Sequence, residues 1–297
     1  MANIHFYLPH TADGPSLFIA SSELRLQPAA SVSDCLQLDF SRLRAILPSG
    51  VTFLSNLIYW FGSRGWIVTF VNHDDPSRRA IAYLDDAGFF LEHEGLEIRP
   101  RAKIRKTTLA LERIETTLGH NWLRTRFIPW LAPTLGLSEA SLYAFEISVQ
   151  EVITNIRDHS GRDAGSIFVQ HFPSKKEVVI SIADFGSGIP ATVRTVAPQL
   201  KDAEAIIRAA QPGFSSKPKP RRRGAGLDFL IETVVRTNGG RVSVFSGTGH
   251  VAFFMDQEQL RVSEIPGAGF CPGVTFDITL RTDTIERIDD EPEALEW

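Results

Sequence analysis

The stretch ASLYAFEISVQEVITNIRDH, residues 140–159, reads as one long helix. Leu142, Phe145, Ile147, Val149, Val152, Ile153 and Ile156 give it a broad apolar surface. Glu151, Asn155 and His159 fall at i, i+4 and i+8, so they share one stripe of that helix. A carboxamide oxygen on such a stripe can hold a hard divalent cation. A carboxylate one turn earlier can orient or deprotonate an attacking oxygen. Glutamate and asparagine one turn apart also occur on ordinary solvated helices, so the spacing alone does not single out a site.

Downstream, EVVISIADFGSGIP (177–190) begins as a strand through Val178, Val179, Ile180 and Ile182 and breaks at Asp184. Gly186 and Gly188 permit a tight turn with close backbone approach. A carboxylate just past a strand end can accept from an amino group such as the exocyclic amine of adenine; an aspartate capping a turn is the plainer alternative. Next, GFSSKPKPRRRGAGLDFLIETVVRTNGG (213–240) opens as a polar loop punctuated by glycine and proline. It continues as a helix from near Gly226, with Leu227, Leu230, Ile231 and Val234 facing inward. Glycines at a helix start expose N–H groups that bind phosphate, and Lys217 with the arginines would add screening charge. GRVSVFSGTGHVAFF and PGVTFDITL alternate as strands, with Gly273 and Thr275 opening the last.

Helix, strand, DxGxG, loop, GxGL, helix and strands, in that order, resemble the GHKL ATPase superfamily: histidine kinases, gyrase B, the Hsp90 chaperones, MutL and the anti-sigma serine kinases. The resemblance covers about residues 131–280, and EVITNIRDHS is nearest in style to the anti-sigma kinases. It implies a Bergerat-fold α/β sandwich, a mixed sheet with helices on one face, binding ATP with Mg²⁺. By the same resemblance Glu151 is the general base, Asn155 the Mg²⁺ ligand, and Asp184 with Gly186 and Gly188 the adenine-reading box. The lid matches Gly213, Ser215, Ser216 and Lys217, then Gly224, Ala225, Gly226 and Leu227. Thr275 supports the adenine-binding aspartate, and His159 joins the nucleotide-contacting set. Two departures stand out. A helix-like stretch, LKDAEAIIRAA, lengthens the segment between Gly188 and Gly213, and the lid's KPKPRRR is unusually basic.

Composition sets the wider frame. The 297 residues are enough for two cores, with 43% hydrophobic and 22% charged residues. A formal net charge of −4 gives no basic excess for wrapping nucleic acid. Cys35 and Cys271, the only cysteines, sit in apolar strand-like contexts, which argues against a disulfide framework and excludes a four-thiolate metal site. MANIHFYLPH lacks a signal-peptide pattern, and VTFLSNLIYWF is too short to span a membrane. The expectation is a soluble, cytoplasmic protein without membrane contact.

The N-terminal half alternates. LQLDF (36–40) reads as a strand, and a helix comes after it in which Val51, Leu54, Leu57, Ile58 and Phe61 recur at helical spacing, with Ser49 or Thr52 as cap and Gly62 and Gly65 as stop. WIVTFVN is a second strand, SRRAIAYLDDA a second helix, and GFFLEH completes a strand–helix–strand–helix–strand order. LDF, PSGVTFL, GWIVTFVN and AGFF resemble the STAS domain over about Leu36 to Glu94. That resemblance implies a protein-docking module. Where the antagonists of that family carry a phosphorylatable serine, this chain has Pro48 with Ser49 beside it.

Lys106 to Leu118 reads as a helix through Leu109, Leu111, Ile114 and Leu118. NWLRTRFIPWLAPTLG after it is too apolar for a free linker, and either packs the halves together or forms a homodimer surface. The organisation expected is a STAS-like domain over 1–97, a helical connector over 98–130, the ATPase domain over 131–280 and an acidic tail over 281–297. Two functions are in view: an ATPase or protein-serine kinase, or an ATP-gated partner-switching module that docks a protein partner. A sensor histidine kinase fragment fits poorly, because His159 lies within the ATP-site helix and His120 lacks a surrounding helix hairpin.

Overall fold

The computed structural model describes residues 3–25, 27, 34–159, 164–214 and 226–289. In chain order the strands and helices begin with β1 (Asn3–Tyr7), β2 (Thr11–Ala12), α1 (Gly14–Ala20), β3 (Cys35–Asp39), β4 (Ala45–Ile46) and α2 (Pro48–Ser63). They continue with β5 (Ile67–Val71), α3 (Arg79–Asp86), α4 (Phe89–Glu94), β6 (Thr108–Glu115), α5 (Gly119–Trp122), α6 (Ile128–Leu135) and α7 (Glu139–His159). The rest are β7 (Ala164–Phe172), β8 (Glu177–Asp184), α8 (Gly188–Arg194), α9 (Asp202–Ala209), α10 (Gly226–Leu230), β9 (Arg241–Gly247), β10 (Gly249–Asp256), β11 (Gln259–Glu264) and β12 (Cys271–Arg281).

The N-terminal half is an α/β unit around a parallel three-stranded sheet in the order β1-β3-β5. Its third strand comes from Asn3–Tyr7, not from GFFLEH. GFFLEH is helical instead: Gly88 takes a left-handed conformation at φ 80, and Phe89 and Phe90 turn into the core against Phe40 and Phe70. Neither Ser49 nor Thr52 caps α2. Leu47 is the N-cap residue and offers no side-chain bond, while Pro48 occupies the first turn, where its missing N–H costs nothing.

The C-terminal half is built on a seven-stranded sheet in the order β11-β10-β9-β12-β8-β7-β6. The expected mixed sheet is not found: every neighbouring pair among these strands is antiparallel. β7–β8 and β9–β10 are hairpins, and β12 returns between β8 and β9, running opposite to both. The segment expected as a helix over Lys106–Leu118 is edge strand β6. A register shift between Leu109 and Glu112 puts Leu109 and Ile114 in one core and Leu111 in the other. That bulge breaks the two-residue alternation and leaves an apolar spacing that imitates a helix. NWLRTRFIPWLAPTLG packs into the C-terminal core, where Trp122, Leu123, Phe127, Ile128 and Leu131 join Leu142, Phe145 and Val149 of α7.

Alternation sorts the sheet into two faces. Ile167, Val169, Val178, Ile180, Ile182, Val242, Val244, Phe276 and Ile278 face the helical layer with α7 and α10. Ser166, Phe168, Ser181, Ser243, Phe245, Thr275 and Asp277 occupy the other parity. That second face is not left open. Helix α2 lies on it, and Phe168, Phe245 and Cys271 belong to the N-terminal core. Thr52 Oγ1 is 2.5 Å from Ser181 Oγ, and Ser55 Oγ is 3.1 Å from Ser166 Oγ. Beyond β12 the chain stays attached: Asn238 Nδ2 donates to Thr284 Oγ1 at 2.7 Å, and Ile288 N donates to Ser141 Oγ at 2.8 Å at the start of α7.

Candidate functional site

Strand β8 ends at Asp184 because Gly186 and Gly188 come next. Gly188 sits at φ 78, and a Cβ there would lie 2.7 Å from Gly273 O. Gly273, at φ 64, is tighter still: a Cβ there would meet Asp184 O at 2.1 Å and Gly186 N at 2.7 Å. Both positions therefore require glycine to let the turn after β8 close against the start of β12. The turn holds the Asp184 side chain inward, 1% exposed, with the Gly186 N–H donating to Oδ1 at 2.7 Å. Burial pushes this carboxyl up to about 7, the Gly186 bond offsetting only part of the effect. A desolvated carboxylate of this kind suits a neutral N–H donor such as an exocyclic amine.

The α7 stripe lies over the same end of the sheet. A Cβ on Gly165 would sit 3.3 Å from Ile156 Cδ1 and 2.9 Å from Ala183 O. The residue after Asn155 is thus packed against the strand one step from Asp184. Glu151 and Asn155 are both half-buried. Backbone placement takes α7 to His159, whose side chain lies outside the described residues. Among the residues expected to form a lid, Gly213 is exposed and its N–H reaches Asp228 Oδ2 at 3.4 Å. Gly226, at φ 74, opens α10, and Leu227 is buried beneath it. Ser215, Ser216, Lys217, Gly224 and Ala225 lie outside the described residues.

Thr275 is fully buried. Its register partner on β8 is Ala183, while Val274 stands opposite Asp184, and its hydroxyl is 3.4 Å from Cys271 Sγ. The stretch LKDAEAIIRAA does form a helix, α9, fastened to the sheet through Asp202 and Thr248, and its Arg208 lies over the Phe214 ring at 5.2 Å. Asp202 accepts from Thr248 N at 2.6 Å and from Arg194 at 2.5 Å, which holds its carboxyl below the usual range despite partial burial.

The structure adds residues that the sequence did not single out. Asn56 of α2, 1% exposed, donates from Nδ2 to Asp184 O and to Pro272 O, both at 2.8 Å. One side chain of the N-terminal half therefore clamps the two backbone segments that meet at the turn after β8. Phe185 stacks on Tyr59, ring centroids 5.9 Å apart. Tyr59 donates to Glu92 and lies under the Arg113 guanidinium. His93, pushed down to about 4 by burial, stands 3.0 Å from Ser55 Oγ and is neutral at physiological pH. Asn56→Ala should cost about 2–4 kcal/mol, because it leaves two buried carbonyls without a donor. Urea denaturation of variant and wild type measures it; a change below about 0.5 kcal/mol would show that the clamp contributes little.

Among the described residues, no group of three His, Cys, Asp or Glu side chains could hold a metal ion. Among the described residues no helix is long and apolar enough to cross a membrane. Both cysteines are free thiols.

Residues 144–283 match the family described as histidine kinase-, DNA gyrase B-, and HSP90-like ATPase. Among solved structures, the chain is similar to the 43K ATPase domain of Thermus thermophilus gyrase B in complex with an aminocoumarin. Identity is 17%, over 59% of this chain and 42% of that one, with a TM-score of 0.28. The chain thus spans less than half of that structure's length. No curated protein matches the chain.

Proposed function

The C-terminal region carries a domain of this ATPase family, and from that premise we propose that the protein binds Mg²⁺–ATP and either hydrolyses it or transfers its terminal phosphoryl group to a protein serine. The buried carboxyl of Asp184, beside a turn of α7 that carries Glu151 and Asn155, is the observation that supports this reading most directly. Asp184 accepts from the adenine amine, while Gly186 and Gly188 let the backbone approach the base. Asn155 offers its carboxamide oxygen to the metal. Glu151, one turn earlier, orients the attacking hydroxyl or water and takes its proton. Gly226 opens α10 with N–H groups directed at phosphate, and the lid of Gly213–Lys217 and Gly224–Leu227 closes over it. The bound cation supplies charge neutralisation at the phosphates.

A second reading is favoured by the Asn56 clamp. The N-terminal half touches the backbone of the adenine box, so nucleotide binding would be felt on its surface. The protein then acts as an ATP-gated module that docks a protein partner, with slow turnover or none. The STAS-like identity of that half, its kinship to the anti-sigma kinase system and a homodimeric state belong to this proposal. It does not use phosphorylation of Ser49, which is 2% exposed and accepts from Gly14 N at 3.1 Å.

The test of the shared core is an ATP titration with and without Mg²⁺. Asn155→Ala should lose about tenfold or more in affinity when Mg²⁺ is present, and stay within about threefold of wild type in its absence. Equal losses under both conditions would make Asn155 a structural residue.

A further inference from the structure

We propose that the groove between the N-terminal half and the second face of the seven-stranded sheet binds a small zwitterion of the amino-acid class, its ammonium at Asp277 and its carboxylate at Arg241 and Lys175. The groove has a volume of about 550 Å³, within the size of ordinary small-molecule sites. It lies on the sheet face opposite α7, away from the helical layer. Its floor is the outward parity of β8, β12 and β9, and its wall is the start of α1 and α2. Neither half forms it alone.

Charge and hydrogen-bonding capacity select the ligand. Asp277 Oδ1 is sealed from solvent and has no hydrogen-bond partner. A buried acceptor left in this state costs free energy that a donated N–H would recover. Ser49 bonds the carboxyl, Asp13 adds like charge beside it, and Arg241 acts in the opposite sense. Burial outweighs these and raises the carboxyl to about 6. Asp277 pairs in register with Ser243 and Thr279 with Arg241, so Arg241 is the diagonal neighbour of Asp277, about 7–8 Å away along the sheet.

The cations at the rim differ in how far they are engaged. Arg281 is paired with Asp283 at 3.2 Å. Arg241 lies over Phe254 at 5.1 Å and Lys175 over Phe172 at 5.4 Å. Among the described residues neither of these two has a carboxylate at ion-pair distance. Asp13 is already used, accepting from Ser16 N at 2.9 Å at the start of α1. An anion alone would be repelled by Asp277, and an amine alone by Arg241 and Lys175. A molecule carrying both charges a short distance apart satisfies the two ends together. The hydroxyls of Ser243 and Thr279 line the floor between them.

The experiment is calorimetry on the full chain with the common L-amino acids, each alongside the amine and the carboxylic acid that lack one of its charges. At least one amino acid should bind with Kd of about 1 mM or tighter. Its single-charge analogues should bind at least about tenfold more weakly, the least that a lost charged bond predicts. Asp277→Asn and Arg241→Gln should each weaken binding to a similar extent, while Asp184→Asn should leave it unchanged. Arg241 is exposed, so Arg241→Gln tests the site even if the buried substitution disturbs folding. Absence of binding by every amino acid overturns the proposal. So does equal binding of an amine or acid alone, full affinity in Arg241→Gln, or loss of binding in Asp184→Asn, which would place the ligand in the nucleotide cleft.

Discussion

Asp184→Asn is expected to weaken ATP binding by about ten- to a hundredfold while making the empty protein more stable at alkaline pH. Both effects come from the same burial. The Gly186 N–H continues to donate to the side-chain oxygen, so an asparagine there would turn its NH₂ toward the adenine amine, donor against donor. The stability change comes from the raised carboxyl, which moves from 3.8 to about 7 on folding. Folded protein holds this proton more tightly than the unfolded chain. The contribution is therefore fully present below about pH 4, declines between about pH 4 and 7, and is absent above. The span corresponds to at most roughly 4 kcal/mol. Asparagine never ionises, so the variant should gain at pH 8 and match wild type near pH 4. Denaturant titrations at the two pH values, beside calorimetry with ATP, measure both halves. Unchanged ATP affinity would remove Asp184 from the nucleotide site; a variant destabilised at pH 8 would contradict the burial argument.

Glu151→Ala should abolish turnover and spare ATP binding. The reason is a division of labour along one helix stripe. In the proposed function Asn155 would meet the metal and matter to the bound ground state, and Glu151, one turn earlier, would matter when the attacking oxygen loses its proton. A general base contributes roughly a hundred- to ten-thousandfold in rate, and such a loss leaves affinity within a few-fold. Single-turnover kinetics beside equilibrium binding decide the matter, with Glu151→Gln as the variant that keeps the shape of the side chain. Turnover surviving within a few-fold would remove Glu151 as the base. Wild type without turnover, even beside a protein partner, would leave the ATP-gated docking module as the function.

The legible parts of this chain are those whose signals are local. The apolar run Val178, Val179, Ile180 and Ile182 ahead of Asp184, then Gly186 and Gly188, places a strand and its sharp exit without any knowledge of neighbours. The i, i+4 relation of Glu151 and Asn155 comes from helical pitch alone. By contrast, β6 reads as a helix in sequence because a bulge between Leu109 and Glu112 disturbs the two-residue period that identifies a strand. GFFLEH reads as a strand because paired phenylalanines suit a sheet. Gly88 and the packing of those rings against Phe40 and Phe70 make it helical instead.

Taken by itself, then, the sequence determined the ATPase-type region, the order of its boxes and the apolar face of each major helix. These depend on residue type and on spacing within one element. Only tertiary structure decided what lies behind the candidate site. Ser49 and Thr52 read as candidate caps, and Ser55 and Asn56 lie outside the apolar set of that helix, yet all four are buried. The partners of Thr52, Ser55 and Asn56 on the sheet, Ser181, Ser166, Asp184 O and Pro272 O, lie more than a hundred residues away along the chain. A polar group can be buried when another supplies its hydrogen bond. That pairing is a property of the contact between two surfaces, and no periodicity within either segment carries it.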